Sequence, residues 1–292
     1  MGYEIITDSS CNLSRSMIEE LGVRIIPFNL IGNGMVHQSR PLDQDVDLGF
    51  FYTMMREGAT FTTSLPSMLV AREILEAPLK ENHDVLYIGF SSALSSAYDA
   101  IRLLLDSLSN EYPDRTIIAI DSLSASAGQG LLVWHAAHQR NEGRSLQEVH
   151  SWLEETKGKV AHWFTVDDLK YLMRGGRITA AEAYLGSILN VKPVMHVDEN
   201  GRLVPVEKAR GRKKSLRALA SHMSRSALPY PENQTVFITH GDCQEDAEFI
   251  ASEIRGLRDH EVEIVINFVE PVIGSHAGPG VVAIFFLAES RS

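Results

Sequence analysis

The chain contains 292 residues, of which 44% are apolar and 22% charged, and 38 acidic against 27 basic side chains give a formal net charge of −11. This composition is typical of a globular protein with room for about two domains. The net acidity argues against nucleic acid as the main partner.

Cellular location is indicated by the cysteines and by the apolar runs. The two cysteines, Cys11 and Cys243, are too few for a disulfide framework or a zinc cluster, which favours a reducing compartment. The first residues lack the features of a signal peptide. The longest late apolar run, residues 281–288, is far shorter than the roughly 20 residues that cross a bilayer. We therefore expect a cytoplasmic protein that is not inserted into a membrane.

In chain order, the first half alternates short apolar runs with helical patterns. Strands are predicted over residues 3–7, 23–31, 85–89 and 116–120, and helices over residues 15–21, 45–56, 69–80, 95–108 and 131–139. Strands that alternate with helices indicate βαβ units and a parallel sheet.

The second half mixes hairpins with helices. Strands are predicted over residues 162–165, 192–197, 203–208, 236–239, 262–269 and 281–287, and helices over residues 169–173, 179–189 and 216–223. We thus predict an α/β protein of two domains. Residues 1–157 form an N-terminal domain with a parallel sheet and a small excursion near residues 28–45, and residues 158–292 form a C-terminal α+β domain.

Four polar clusters follow predicted strands, over residues 7–10, 61–67, 89–95 and 273–280. Ligands of open α/β sheets bind at the carboxyl ends of strands, so this placement points to a binding site. In the first cluster, Asp8 has no second acid nearby, and we favour a capping role over a catalytic one.

The second and third clusters are rich in hydroxyl groups. Thr63 and Ser64 lead into a helix, whose first N–H groups favour an anion. The third cluster nearly matches a nucleophile elbow around Ser91, although Ala93 replaces the last glycine. Its spacing fits both a serine hydrolase and an anion-binding cradle.

The fourth cluster places His276 among small residues, just before Gly278-Pro279-Gly280. A histidine in such a loop indicates close approach to a ligand. His135 and His138 lie at i, i+3 on one helix, but no acid or cysteine completes a ligand set. We therefore expect no metal site.

Positive charge is concentrated in residues 202–225, which contain eight arginines and lysines against one acid, Glu207. Such a stretch is either a solvated helix face or a contact surface for an anionic partner or phosphate.

The order and spacing of these motifs together resemble the DegV family over nearly the whole chain. The matching segments are Thr7-Asp8-Ser9-Ser10; Thr63 to Ser67, with Leu65 in place of glutamine; Ser91 to Tyr98, with departures at Ser96 and Ala97; Asp121-Ser122 with Gly128-Gln129-Gly130; residues 169–178; Lys192-Pro193; Lys208 to Gly211; and His276 to Gly280, with Ala277 in place of threonine.

The resemblance implies a protein that buries a long-chain fatty acid between its two domains. Members similar to this chain act as the fatty-acid-binding subunit of bacterial fatty acid kinase, in which a separate subunit phosphorylates the bound carboxylate with ATP and supplies phospholipid metabolism. By this analogy the chain is a carrier without a cofactor and is not itself an enzyme.

The same resemblance implies the site residues. The side chains expected around the fatty acid carboxylate are Thr63, Ser64, Ser91, Ser92, His276 and Ala277. Either Ser91 or Ser92 faces the ligand, together with Thr63 and His276. Arg177 and Arg210 are the residues expected to contact the kinase subunit or its phosphates.

The tail requires an apolar tunnel, and suitable residues are Phe50-Phe51, Met54-Met55 and Tyr184-Leu185. Burial of a tail of about 16 carbons contributes on the order of 10 kcal/mol, at roughly 0.8 kcal/mol for each methylene. An alternative function is a serine hydrolase that uses Ser91, His276 and an aspartate such as Asp242. A third is an interaction module that uses residues 202–225.

Overall fold

The fold was obtained as a computed structural model, and the structure describes residues 2–39, 47–179, 190–229, 235–258 and 261–291. Tyr184 and Leu185 lie outside the described residues, as does nearly all of the helix predicted over residues 179–189. In chain order, the elements of the first half are β1 (Tyr3–Asp8), α1 (Arg15–Leu21), β2 (Val23–Ile26), β3 (Asn29–Gly32), β4 (Met35–Gln38), α2 (Leu48–Arg56), β5 (Thr62–Ser64), α3 (Met68–Lys80), β6 (Asp84–Gly89), α4 (Ala97–Glu111), β7 (Ile117–Asp121), α5 (Ala127–Asn141) and α6 (Leu146–Thr156).

The second half supplies a second set of strands and helices. In chain order they are β8 (Val160–Thr165), α7 (Lys170–Arg174), β9 (Val191–Val197), β10 (Leu203–Arg210), α8 (Arg212–Ser226), β11 (Thr235–His240), α9 (Gln244–Leu257), β12 (Glu263–Phe268), α10 (Pro271–Ala277) and β13 (Val282–Leu287).

The first sheet is parallel and has the strand order β2-β1-β6-β7. In its register Ile5 lies opposite Val23 on one side and Leu86 on the other. A parallel sheet with helices on both faces has buried strands, which accounts for the continuous apolar run of β6. The predicted parallel sheet is confirmed.

A small antiparallel sheet with the order β4-β3-β5 lies beside the first sheet. The prediction of one strand over residues 23–31 was wrong, because β2 and β3 belong to different sheets. Pro27 lies between them and has no N–H to donate to a neighbouring strand. This sheet carries Thr63 on β5, opposite Leu30 on β3.

The second large sheet has the order β10-β9-β8-β13-β11-β12, in which only the β11–β12 pairing is parallel. Helices α8 and α9 cover one face, and side chains such as Leu219 and Ile250 form a separate apolar core there. The opposite face turns toward the first sheet.

Helix α5 contacts strands of both large sheets. Nine of its residues are buried, as expected of a helix enclosed on all sides. A Cβ on Gly130 would lie 2.3 Å from the carbonyl oxygen of Cys11, so this glycine permits close packing. The chain passes from one sheet to the other between α6 and β8, where we predicted the domain boundary. Because α5 packs on both sheets, the two halves share a helix of the core and do not divide cleanly at this point. The domain boundary therefore stays a prediction.

Candidate ligand-binding site

A cavity of about 450 Å³ lies between the first sheet and the inner face of the second. This volume is within the range of small-molecule sites. Much of the wall is apolar and includes Phe28, Phe90, Phe164, Val269, Val281 and Phe285.

Thr63 and His276 meet at one end of this cavity. Thr63 Oγ1 lies 2.8 Å from His276 Nε2, and both residues belong to the wall. Burial lowers the pKa of His276 to about 4, and the charges of Arg177 and Arg174 act in the same direction. The imidazole is therefore neutral near pH 7, and it can donate or accept one hydrogen bond at Nε2.

Two residues help to position His276 and the helix α10 that carries it. A Cβ on Gly175 would lie 2.2 Å from His276 Nδ1, so only a glycine leaves room for the ring. At the other end of α10, Glu270 is buried and its carboxylate accepts the N–H groups of Val272 (2.8 Å) and Ile273 (2.6 Å). Burial raises the pKa of Glu270 to about 7. The sequence analysis missed both roles, although Gly175-Gly176 is a recognisable signal for a close approach.

The mouth of the cavity includes further residues that the sequence predicted. Ser64, Arg177 and Ala277 all contribute to the wall, and Ser64 is exposed. Arg177 Nε donates to the carbonyl oxygen of Leu94 at 3.2 Å, and its Nη1 donates to the carbonyl oxygen of Gly175. The predicted partner contact Arg177 therefore lies in the wall of the cavity.

Ser91 and Ser92 do not occupy the predicted position. Ser91 is fully buried and its hydroxyl donates to the carbonyl oxygen of Gly201 at 3.0 Å. The N–H of Ser92 donates to Asp121 Oδ1 at 3.2 Å. The turn that follows brings Ser95 and Ser96 into the wall instead. Neither Ser91 nor Ser92 belongs to the wall, so the structure offers Ser95 and Ser96 as the hydroxyl donors nearest to a ligand in this cavity, and the serine that faces the ligand stays a prediction.

A signal for these two serines lies in their position before α4. Ser96 is the N-cap of that helix, but its side chain makes no capping hydrogen bond. Its hydroxyl is exposed at the mouth.

The predicted hydrolase residues are not brought together. The Ser91 hydroxyl is bound to Gly201, His276 contacts Thr63, and Asp242 pairs with Arg56. The geometry therefore contains no Ser-His-Asp triad among these three residues.

Arg210 is an exposed residue at the end of β10 and is not part of the cavity wall. Its predicted contact with the kinase subunit or its phosphates stays a prediction. The expectations for the tunnel are corrected by position. Phe51 and Met55, expected in the tunnel, are buried in the core, and Phe50 is 60% exposed. A helical apolar pattern does not distinguish a tunnel wall from ordinary core packing.

Asp8 is fully buried directly behind the wall. Its carboxylate accepts hydrogen bonds from five donors: Ser10 N, Ser10 Oγ, Tyr87 Oη, Phe90 N and Gln129 Nε2. The predicted capping role is confirmed, since Asp8 is the N-cap of the 3₁₀ turn Ser9–Cys11. Among the described residues, no cluster of three or more potential ligands could hold a metal ion. No helix in the same part of the chain is long and apolar enough to span a membrane.

A cavity with a mostly apolar wall and a polar mouth, enclosed by two sheets, defines an α/β protein with a site suited to a ligand that has one polar end. The family model described as "Uncharacterised protein, DegV family COG1307" matches residues 3–289. The DegV domain-containing protein CPE0026 of Clostridium perfringens is 39% identical over 290 residues, which cover 99% of this chain and 98% of that protein. The chain belongs to the DegV family, which confirms the predicted resemblance.

Solved structures share the fold over its whole length. The fatty-acid-binding DegV family protein of Thermus thermophilus is 28% identical, with a TM-score of 0.86, and covers 99% of this chain and 100% of its own. The fatty acid binding DegV family protein SAG1342 of Streptococcus agalactiae is also 28% identical, with a TM-score of 0.82 and the same coverage. The predicted α/β fold is thereby confirmed.

Proposed function

We propose that this protein binds one long-chain fatty acid in the cavity and presents its carboxylate to a separate kinase subunit, which converts it to an acyl phosphate. The observation that carries the proposal is the Thr63–His276 pair, 2.8 Å apart at the polar end of an apolar cavity. Fatty acid binding by the two solved relatives supports it.

The head group is held by neutral donors. A buried carboxylate requires hydrogen bonds, because an unpaired buried charge is very costly. The Thr63 hydroxyl and the His276 Nε2–H supply two, and the hydroxyls of Ser95 and Ser96 lie in the same wall. A bound carboxylate also raises the pKa of the imidazole, since an opposite charge favours the protonated form.

The mouth is suited to presentation of the head group. Ser64 and Ser96 are exposed there, so a second protein can approach the carboxylate. In the transfer step, a carboxylate oxygen forms a bond to the γ-phosphorus of ATP, and ADP leaves. Arg177 in the wall would neutralise part of the added charge. Within residues 202–225, the exposed basic side chains would form the surface for the kinase subunit; they are Arg202, Lys208, Arg210, Lys213, Lys214, Arg217 and Arg225.

The carrier requires no cofactor of its own under this proposal. It acts in the cytoplasm, and its acyl phosphate product supplies phospholipid synthesis.

Lipid extraction and mass spectrometry test the binding step. The protein purified from bacteria should carry about one fatty acid per chain. The double variant Thr63→Val, His276→Ala should retain at least about tenfold less, because each hydrogen bond to a charged group contributes roughly 1.5–3 kcal/mol. The matched control is Thr62→Val, an exposed neighbour on β5 that is not part of the wall. Absence of lipid from repeated preparations, or unchanged retention in the double variant, contradicts the proposal.

The presentation step has its own assay. Loaded protein, magnesium ATP and the kinase subunit of a bacterial fatty acid kinase should together form an acyl phosphate that hydroxylamine traps. Omission of any one component should abolish the product. Lipid-loaded protein that yields no acyl phosphate with an active kinase would leave a binding protein without the presenting role.

A further inference from the structure

Besides Ser10, whose hydroxyl donates to the Asp8 carboxylate, three polar side chains interrupt the apolar wall away from the Thr63–His276 pair. We call Ser126, His162 and Thr239 the tail patch. All three belong to the cavity wall, and their exposed fractions are 6%, 1% and 0%. Polar groups in the wall of a tunnel for a plain hydrocarbon chain gain nothing from the tail, so this patch requires another explanation.

The sheet register places the tail patch along the tail and away from the head group. Strand β13 starts just after α10, which carries His276, and runs away from it. Val281, just before this strand, and Ala283 and Phe285 on it alternate in the wall, so together they span about 13 Å along the chain. Thr239 lies opposite Ala283 and His162 lies opposite Phe285.

The hydroxyls of the patch are only weakly used by the protein. Ser126 Oγ donates to Asn12 Oδ1 at 3.1 Å, and Thr239 Oγ1 lies 3.4 Å from Ser126 Oγ. Hydroxyl pairs usually approach to about 2.7–2.8 Å. A third hydroxyl group beside these two oxygens can accept a hydrogen bond from Thr239 Oγ1 and donate one to a lone pair of Ser126 Oγ.

His162 adds an acceptor. Its Nδ1–H donates to the carbonyl oxygen of Val160 at 2.9 Å, which leaves Nε2 unprotonated. Nε2 accepts the N–H of Ala125 at the long distance of 3.4 Å. A Cβ on Gly128 would lie 2.0 Å from Nε2, so the first turn of α5 contains a glycine where the ring needs room.

From this juxtaposition we infer that the preferred ligand is a fatty acid with a hydroxyl group on its tail, and that Thr239 and Ser126 bind this hydroxyl. The inference rests on the proposed fatty acid binding and narrows its ligand class. A hydroxyl fits because it donates and accepts, as the patch does, whereas a second carboxylate would meet no cation among these three residues.

A binding competition tests the inference. The probes are octadecanoic acid and a positional series of monohydroxy octadecanoic acids, with the hydroxyl near the carboxylate, at mid-chain or at the terminus. We expect one internal isomer to bind about three- to tenfold more tightly than octadecanoic acid, the effect of one net hydrogen bond. The double variant Ser126→Ala, Thr239→Val should reverse this order, because the hydroxyl is then desolvated without a partner.

The matched control is Thr165→Val. Thr165 is fully buried on β8 and is not part of the wall, and its hydroxyl has no hydrogen-bond partner among the residues that the structure describes. This variant should keep the preference of the unmodified protein. Equal affinity for all isomers, or a preference that survives in the double variant, overturns the inference and leaves the proposed function intact. Failure of every fatty acid to bind removes the proposed function as well.

Discussion

Two polar clusters lie on either side of the same cavity wall and differ in how their hydrogen bonds are used. The mouth cluster (Thr63, Ser95, Ser96 and His276) is open at one end, and Thr63 and His276 contact each other. The anchor cluster around Asp8 is buried, and five donors surround its carboxylate. The mouth cluster retains hydrogen-bonding groups that a ligand can use, whereas the carboxylate of the anchor cluster is already hydrogen-bonded within the protein.

This difference separates function from stability at the level of single residues. Substitutions in the anchor cluster leave buried donors without acceptors, which is costly for folding. Substitutions at the mouth remove contacts to a ligand that the unfolded chain never makes. Each prediction below tests this separation.

The largest effect is expected at Asp8. The variant Asp8→Ala should lower the free energy of unfolding by on the order of 4 kcal/mol, because several buried donors lose their acceptor at about 1–3 kcal/mol each. Urea unfolding followed by circular dichroism measures the loss. The exposed Asp114→Ala is the control and should change stability by less than about 0.5 kcal/mol. A loss at Asp8 below about 1 kcal/mol would show that the cluster is not an anchor.

Features of this arrangement that follow from a repeating apolar pattern could be predicted from the sequence, whereas those that depend on the conformation of a turn could not. The apolar runs of β1 and β6 and the glycines around His276 predicted the parallel sheet and one half of the mouth cluster. Which serine after β6 lies in the cavity wall depends on the turn there, whose conformation no periodicity encodes. The prediction that Phe50 lines the tunnel was wrong for a related reason, because two adjacent apolar residues do not indicate which helix face meets the core.

Glu270 should give a pH-dependent effect of intermediate size. Burial raises its pKa in the folded protein to about 7 from an ordinary value of 4.5, so the folded state keeps the proton to a higher pH than the unfolded state does. Its contribution therefore lowers the free energy of unfolding as pH rises from about 4.5 to 7, by on the order of 3 kcal/mol, and is constant above that range.

The difference between the unmodified protein and Glu270→Gln isolates this contribution, since the raised pKa of Asp8 acts in both proteins. Urea unfolding at a series of pH values should show a difference that changes between pH 4.5 and 7. The exposed Glu142→Gln serves as a control without such a trend. Parallel curves for Glu270→Gln and the unmodified protein would contradict the assignment.

The smallest effect on stability, with a clear effect on the ligand, is expected at Gly175. The variant Gly175→Ala keeps an ordinary backbone conformation, since φ is −72°, but its Cβ would lie 2.2 Å from His276 Nδ1. The ring must move away from Thr63, so fatty acid affinity should fall about tenfold while the free energy of unfolding changes by less than about 1 kcal/mol. Gly256→Ala is the matched control and should leave affinity unchanged, because a Cβ there meets no atom of the described residues within 4 Å. Wild-type affinity in Gly175→Ala would mean that the position of the imidazole does not matter for binding. The mouth cluster would then depend on hydroxyl groups alone.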